Sequence, residues 1–111
     1  MERWLLAVET NCNDPSRERE YNNWYENIHL PDALEPHGIL SGTWYKNINP
    51  GEGRGKYLAL YEIETENIEQ TMAAFWGNVG NLYERGRMTD LLEPVSITTY
   101  QQLKAIKKQD A

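Results

Sequence analysis

The sequence is poor in several residue types, and each shortage argues against a class of protein. One cysteine, Cys12, allows no internal disulfide, and no Cys/His spacing typical of zinc sites occurs. Eleven basic residues against 17 acidic ones give a net charge of −6, which argues against nucleic acid because phosphate contacts need clustered Lys and Arg. No apolar run approaches the roughly 18 residues that a membrane span needs. The N-terminal residues also show no signal-peptide pattern. We therefore expect a soluble protein of the reducing cytoplasm, with Cys12 as a spectator thiol.

The aromatic residues are unevenly represented, since a single Phe is accompanied by four Trp and seven Tyr. The polar ends of Trp and Tyr suit pockets and interfaces that are partly wet. A small core could also use these rings as bulk, so each ring taken alone has two explanations. The length of 111 residues fits one domain with one modest core.

The most informative segment is residues 23–32, where an aromatic helix meets a proline. The i, i+3, i+4, i+7 spacing places four apolar residues on one helix face. These residues are Tyr21, Trp24, Tyr25 and Ile28. Pro31 disfavours helical backbone at the residue before it, so the sequence predicts that the first helix ends near His29.

His29 is one of only two histidines, and Asp32 follows it by three residues. A helix C-terminus would favour the charged imidazolium and a nearby carboxylate would do the same, whereas burial among the aromatic rings would favour the neutral ring, so the direction of the pKa shift stays open. A titratable ring beside an aromatic wall suits proton transfer, so we expect His29 to be a catalytic acid/base and Asp32 to orient it. In the alternative interpretation, both residues only cap the helix end. The second histidine, His37, stands between a proline and a glycine and is expected in a loop.

Hydrophobic periodicity and turn signals predict four strands and two helices. The predicted strands cover residues 4–10, 39–47, 56–64 and 95–103. The first helix starts with Asp14 as N-cap and Pro15 after it, and a short helical turn follows the break at residues 33–35. The second helix starts at Thr65 and continues to about residue 88, with a break or kink at Gly77 and Gly80.

This βαββαβ order predicts a ferredoxin-like α+β domain with a four-stranded antiparallel sheet over residues 1–103, followed by a solvated tail at 104–111. Two helices can cover only one face of such a sheet. The strands nevertheless carry apolar residues on both sides, with Tyr57 and Tyr61 alternating with Leu58 and Leu60. The uncovered face would be a large exposed apolar patch, so a second copy of the chain is the expected partner.

The topology, with Trp-Tyr-x-x-x-His-Leu-Pro-Asp at residues 24–32, resembles the dimeric α+β barrel superfamily and especially its EthD-like branch. The resemblance implies a homodimer whose sheets pack face to face and a small-molecule pocket between sheet and helices. Activities in this superfamily include polyketide cyclisation, lactone isomerisation, decarboxylation and cofactor-independent quinone-forming oxygenation, and some members have no established activity. A haem-binding branch has its proximal histidine elsewhere in the chain, and no matching histidine occurs here. We therefore expect no haem, flavin or metal cofactor.

The expected walls of the pocket are aromatic, with one arginine. Each ring alone suits core packing, but as a set they exceed what packing requires and would suit a flat ligand. Arg85 could bind a carboxylate or enolate oxygen, or form a surface salt bridge. The candidate substrate-binding residues are Trp24, Tyr25, Tyr45, Tyr57, Tyr61, Trp76 and Arg85.

The sequence thus supports two classes of function. The first is a cofactor-independent enzyme that acts on a small hydrophobic, oxygenated compound by acid/base chemistry at His29, through cyclisation with dehydration, isomerisation or decarboxylation. Cofactor-free monooxygenation of a phenolic substrate is also open. The second is a non-catalytic small-molecule-binding or stress-response barrel with the same pocket. The direction of the His29 ring, into a cavity or into solvent, distinguishes the two classes.

Overall fold

The structure is a computed structural model that describes residues 1–109. Its strands are β1 (Glu2–Cys12), β2 (Ile39–Lys46), β3 (Tyr57–Thr65) and β4 (Leu92–Gln101). They form one antiparallel sheet in the order β2-β3-β1-β4. The helical elements are a 3₁₀ turn (Pro15–Arg17), α1 (Glu18–Trp24), a π-helical segment (Tyr25–His29), α2 (Leu30–Ala33) and α3 (Ile68–Glu84). The predicted ferredoxin-like α+β fold is confirmed.

The first helical region begins as the sequence predicts and ends later. Asp14 caps it by accepting a hydrogen bond from the Ser16 amide at 3.1 Å, with Pro15 in the first position. The prediction that Pro31 ends the helix near His29 is wrong, because α2 carries the helical path on to Ala33. Pro31 lies where the π-helical segment passes into α2, and the helical path continues through it although its ring supplies no backbone donor. His29 is therefore not at the end of the helical path, and the expected macrodipole effect on its charge falls away.

The second long helix also differs from its prediction at both ends. Asn67, rather than Thr65, is the N-cap and accepts a hydrogen bond from the Gln70 amide at 3.1 Å. α3 then runs unbroken through Gly77 and Gly80, because its apolar face is packed against the sheet and this packing outweighs the roughly 1 kcal/mol cost of each glycine. It ends at Glu84, before the predicted end near residue 88.

A Schellman motif terminates α3. Gly86 has a φ of +70° and donates to the Tyr83 carbonyl at 3.1 Å, while the Arg87 amide donates to the Leu82 carbonyl at 2.9 Å. A side chain at Gly86 would be strained in this left-handed conformation. The motif fixes the direction in which the chain leaves α3 and thus the position of Arg87.

The strand boundaries extend or shift by a few residues relative to the predictions. β1 is longer at both ends, and β4 begins at Leu92, which pairs with Cys12 beyond a bulge at Thr10. The predicted tail is without helix or strand as far as the structure describes it, to residue 109, and residues 110 and 111 lie outside the described part. Within residues 1–109, no helix combines the length and apolar character needed to cross a membrane.

The two faces of the sheet differ in what covers them. The helices cover the face that carries Leu6, Tyr61 and Ile63, all of which are fully buried. On the opposite face, Leu58 and Leu60 alternate with these residues and remain only partly buried. The core therefore lies between the sheet and the helices, and so does the cavity described next.

Candidate active site

A cavity of about 130 Å³ lies between the helix-covered face of the sheet and the helices. Its lining is almost wholly apolar and includes residues from β1, β3, β4, the π-helical segment and α3. A cavity of similar size, roughly 150 Å³, is large enough to hold benzene. The lining residues are Val8, Thr10, Tyr25, His29, Tyr61, Phe75, Trp76, Val79, Tyr83, Met88, Leu92, Pro94 and Ile97.

His29 is the one titratable base among these lining residues. Its side chain is only 6% exposed, and its Nδ1 atom is buried without a hydrogen-bond partner among residues 1–109. Burial lowers the pKa of His29 from its ordinary value of 6.5 to about 4, against an opposing influence of Asp32. The ring is therefore neutral at physiological pH and can accept a proton.

The π-helical segment explains how Trp24 supports this ring. Trp24 and His29 are five residues apart, and their rings stack with centroids 4.7 Å apart and an interplanar angle of 13°. Five residues on an α-helix would point about 140° apart, at 3.6 residues per turn. The π turn, in which the Leu30 amide donates to the Tyr25 carbonyl five residues back, brings the two side chains to one side. The Tyr25 ring meets His29 edge-on at 4.9 Å.

Two buried tyrosines near the cavity differ in how their hydroxyls are satisfied. The Tyr61 hydroxyl makes no hydrogen bond of ordinary geometry among residues 1–109. Burial raises the pKa of Tyr61 to about 12, against an opposing influence of the nearby Tyr25 hydroxyl, which donates towards it. Tyr21, behind the cavity wall, shares a 2.6 Å hydrogen bond with the Thr10 hydroxyl. Tyr61 therefore stays protonated and has a free donor for a ligand, whereas the Tyr21 hydroxyl is already paired.

Asp32 does not hydrogen-bond to His29. Its carboxylate accepts two hydrogen bonds from Arg87, at 2.5 Å from Nε and 3.2 Å from Nη2. Its backbone carbonyl accepts a third from Asn78 of α3 at 3.0 Å. Asp32 thus ties α2 to α3 and to the turn that follows α3.

The structure brings some of the predicted substrate-binding residues together and leaves others apart. Tyr25, Tyr61 and Trp76 line the cavity with His29, and Trp24 lies behind the His29 ring. The remaining three lie elsewhere: Tyr57 donates to Glu18 at 2.6 Å, Tyr45 is 48% exposed on the open face of the sheet, and Arg85 is exposed beside Glu35.

Several cavity residues were not singled out from the sequence. Tyr83 follows Val79 by four residues on α3 and so lies on the same helix face, which means that periodicity alone could have found it. Thr10 and Met88 in the lining, and Arg87 outside it, carry no such signal, because their positions depend on strand pairing and on the Schellman turn.

The cavity does not fit haem. A tetrapyrrole is several times larger than one benzene ring, and the walls around His29 would have to part to admit it. Within residues 1–109, no group of three or more His, Cys, Asp and Glu side chains is placed to hold a metal ion.

Comparisons with solved structures identify the architecture. A Bordetella bronchiseptica protein named as an antibiotic biosynthesis monooxygenase is similar over 94% of this chain and 100% of its own, with a TM-score of 0.67 and 15% identity. An EthD family protein of Bacillus halodurans is similar over 93% of this chain and 100% of its own, with a TM-score of 0.56 and 16% identity. The chain shares the ferredoxin-like α+β fold of these proteins. The resemblance in fold seen in the sequence, including that to EthD-like proteins, is thereby confirmed.

Sequence comparison adds a relative outside this set of α+β barrel structures. Core atranone cluster protein 1 of Stachybotrys chlorohalonatus is 36% identical over 61 residues, which cover 54% of this chain and 26% of the relative. The matched part therefore spans about a quarter of that protein. No family model matches the chain.

Proposed function

We propose that this α+β barrel domain binds a small, mostly apolar, hydroxylated ring compound and oxidises it after deprotonation by His29. One observation carries the proposal: a buried, neutral histidine with an unpaired Nδ1 lies in an aromatic cavity beside an unpaired tyrosine hydroxyl. Perturbed titratable groups in an apolar cavity are the usual mark of a reactive site.

The cavity favours a ligand with one ring inside and further groups outside. Its volume of about 130 Å³ matches a single aromatic ring. Trp76, Tyr83 and Ile97 line the cavity and are also half-exposed, so they form its mouth. A second ring or side chain of the substrate would lie against them.

Proton transfer to His29 begins the proposed reaction. The neutral imidazole removes a proton from a phenol or from carbon next to a carbonyl, leaving a negative charge on oxygen. The Tyr61 hydroxyl, protonated and without another partner, donates a hydrogen bond to that oxygen. Both groups are held in place before the ligand arrives, by the Trp24 stack in one case and by β3 in the other.

Oxygenation is the favoured continuation, and the substrate itself supplies the electrons. When a ring CH₂ becomes a carbonyl, one oxygen atom of O₂ enters the product and the other leaves as water, so the reaction balances without another reductant. The monooxygenase name of the Bordetella protein supports this choice. The same deprotonation would also begin cyclisation with dehydration, isomerisation or decarboxylation, and none of these consumes O₂.

We further propose that the protein is a homodimer with the open faces of two sheets in contact. The partly buried Leu5, Leu58 and Leu60 share this face with the exposed Tyr45 and Tyr100. Pairing would bury this apolar surface, which a monomer leaves in water.

The test combines O₂ uptake with product analysis, with anthrone and acylphenols as the substrates. His29→Ala and His29→Gln should each lose roughly 10²–10⁴ in turnover, the usual contribution of one acid/base group. His37→Ala, at the exposed second histidine, is the matched control and should keep full activity.

Three outcomes would contradict the proposal. Turnover without O₂ uptake would indicate one of the other acid/base reactions. Binding without turnover of any compound would indicate a non-catalytic barrel. Retained turnover in His29 variants that melt earlier would leave His29 with a structural role only.

A further inference from the structure

We infer that Arg87 is a positioning residue for His29. Its side chain keeps the Asp32 charge directed away from the imidazole, and its backbone carbonyl holds the Trp24 ring that stacks on His29. Arg87 lies outside the cavity lining and is 55 residues away from Asp32 in sequence. The inference rests on the proposed function only where it concerns turnover, because the environment of the His29 ring can be measured without a substrate.

The side chain of Arg87 neutralises Asp32. The two hydrogen bonds to the carboxylate form the bidentate geometry that is strongest for this pair. The Asp32 side chain is mostly buried and that of Arg87 is about half exposed, so the bond is shielded from water on the Asp32 side. Asp32 acts on His29 in the direction that favours imidazolium, and a bound guanidinium weakens that action.

The backbone of Arg87 has a separate role. Its carbonyl accepts a 2.8 Å hydrogen bond from the indole Nε1 of Trp24, and Trp24 stacks on His29. The Schellman motif at Gly86 fixes this carbonyl, so a change of the Arg87 side chain leaves the contact in place. Side-chain substitution therefore isolates the effect on the Asp32 charge from the effect on the stack.

The other titratable groups near His29 come from each element around the cavity. They are Tyr25 from the π-helical segment, Tyr61 from β3 and Tyr83 from α3. Burial raises the pKa of Tyr25 and of Tyr61, so both are uncharged at neutral pH. Asp32 and Arg87 are thus the charged groups whose balance can change the proton affinity of the ring.

The experiment is an NMR titration of the histidine side chains in the full chain, with the exposed His37 as an internal reference. In Arg87→Gln, the uncompensated Asp32 carboxylate should raise the pKa of His29 by about one unit. The double variant Arg87→Gln/Asp32→Asn should return it close to the wild-type value. Arg85→Gln, two residues away and paired with Glu35, is the matched control and should leave it unchanged.

Turnover gives the second readout. The acidic limb of the pH–activity profile should move upward in Arg87→Gln by the same amount as the pKa of His29, because the neutral ring is the active form. Arg87→Lys keeps the charge but loses the bidentate fork, so its shift should be smaller and in the same direction.

An unchanged pKa of His29 in a folded Arg87→Gln protein would overturn the inference. So would an equal shift in Arg85→Gln, which would mark a general effect of net charge. If Arg87→Gln does not fold, Arg87→Met decides, because it keeps an apolar stem and removes the charge; a folded Arg87→Met protein with no shift would also overturn the inference. If the pKa of His29 shifts in Arg87→Gln but His29→Ala keeps full turnover, the proposed function is refuted. The inference about the environment of the His29 ring would still hold in that case.

Discussion

Both faces of the sheet are rich in apolar residues, but their polar atoms differ in how many hydrogen bonds they make. On the covered face, His29 Nδ1 and the Tyr61 hydroxyl have no partner within residues 1–109. On the open face, Glu9 accepts hydrogen bonds from Arg54 at 2.9 Å, from Ser96 at 2.7 Å and from the Gly55 amide at 3.1 Å. Unpaired buried polar atoms cost stability and persist where they have a use. This difference supports the proposal of a reactive cavity on the covered face and of an association surface on the open face.

After the loss expected for His29, the largest effect on the covered face should come from removing the Tyr61 hydroxyl. Tyr61→Phe should lose about 10²-fold in turnover, the cost of one oxyanion donor, with little loss of stability because the hydroxyl makes no hydrogen bond of ordinary geometry within residues 1–109. Tyr21→Phe is the matched control: it should cost about 1 kcal/mol of stability because the bond to Thr10 is lost, and should keep turnover. Urea unfolding and steady-state assays on both variants measure the two effects. The reverse pattern would show that the Tyr61 hydroxyl is structural.

The covered face should also make stability depend on pH. The unfolded chain binds a proton at His29 with an ordinary pKa of 6.5, whereas burial lowers the folded value to about 4. Between these two values the unfolded state holds more protons, so stability falls as the pH falls from 6.5 to 4. Wild type should lose up to about 3 kcal/mol more than His29→Gln over this window, at about 1.4 kcal/mol per unit of pKa. Parallel curves for the two proteins in urea unfolding would refute the burial effect.

A charged side chain introduced on the open face should prevent dimerisation without unfolding the chain. Leu60→Glu lies in β3, opposite Ala7 and Thr43, and should weaken the proposed dimer by about 10²-fold or more because an unpaired carboxylate would be buried there. Sedimentation should show monomers with wild-type circular dichroism. Wild-type protein that is monomeric at micromolar concentration would remove the dimer from the proposal.

The smallest effects should come from replacing glycines with alanine. The change in stability should be favourable at Gly80, where there is free space, and unfavourable at Gly42, which is tightly packed. A Cβ at Gly80 would meet no atom within 4 Å in the described residues, so Gly80→Ala should stabilise α3 by about 0.5–1 kcal/mol. A Cβ at Gly42 on β2 would lie 3.1 Å from Leu30 and from the Tyr61 ring, so Gly42→Ala should destabilise the protein. Thermal melting compares the two, and stabilisation by both would contradict the packing of β2 against the helices.

The parts of the fold that local patterns determine could be predicted from the sequence. Alternation in residues 57–64 gave two apolar faces, and i, i+4 spacing placed Tyr25 beside His29. The Asp14 and Pro15 start signal also matched the structure. Each of these depends on residues close together in the chain.

The rest depends on contacts that local patterns do not contain. Tyr45 and Tyr57 are both aromatic strand residues, and only the sheet pairing places them on opposite faces. Arg87 reaches Asp32 because a left-handed glycine redirects the chain after α3. The pKa of His29 was open in direction, and it depends on burial and on where the Asp32 carboxylate points.

The widened turn at Tyr25–His29 has a consequence for how related sequences should be aligned. A π turn holds one residue more than the α turn over the same path. The stacked indole and imidazole lie at positions i and i+5 here. On an ordinary α-helix, which lacks the extra residue, the same pair of rings would stack from positions i and i+4. Chains that differ by one insertion at this point can therefore present the same pair of rings, and a motif with a fixed interval between Trp and His would separate them into unrelated groups.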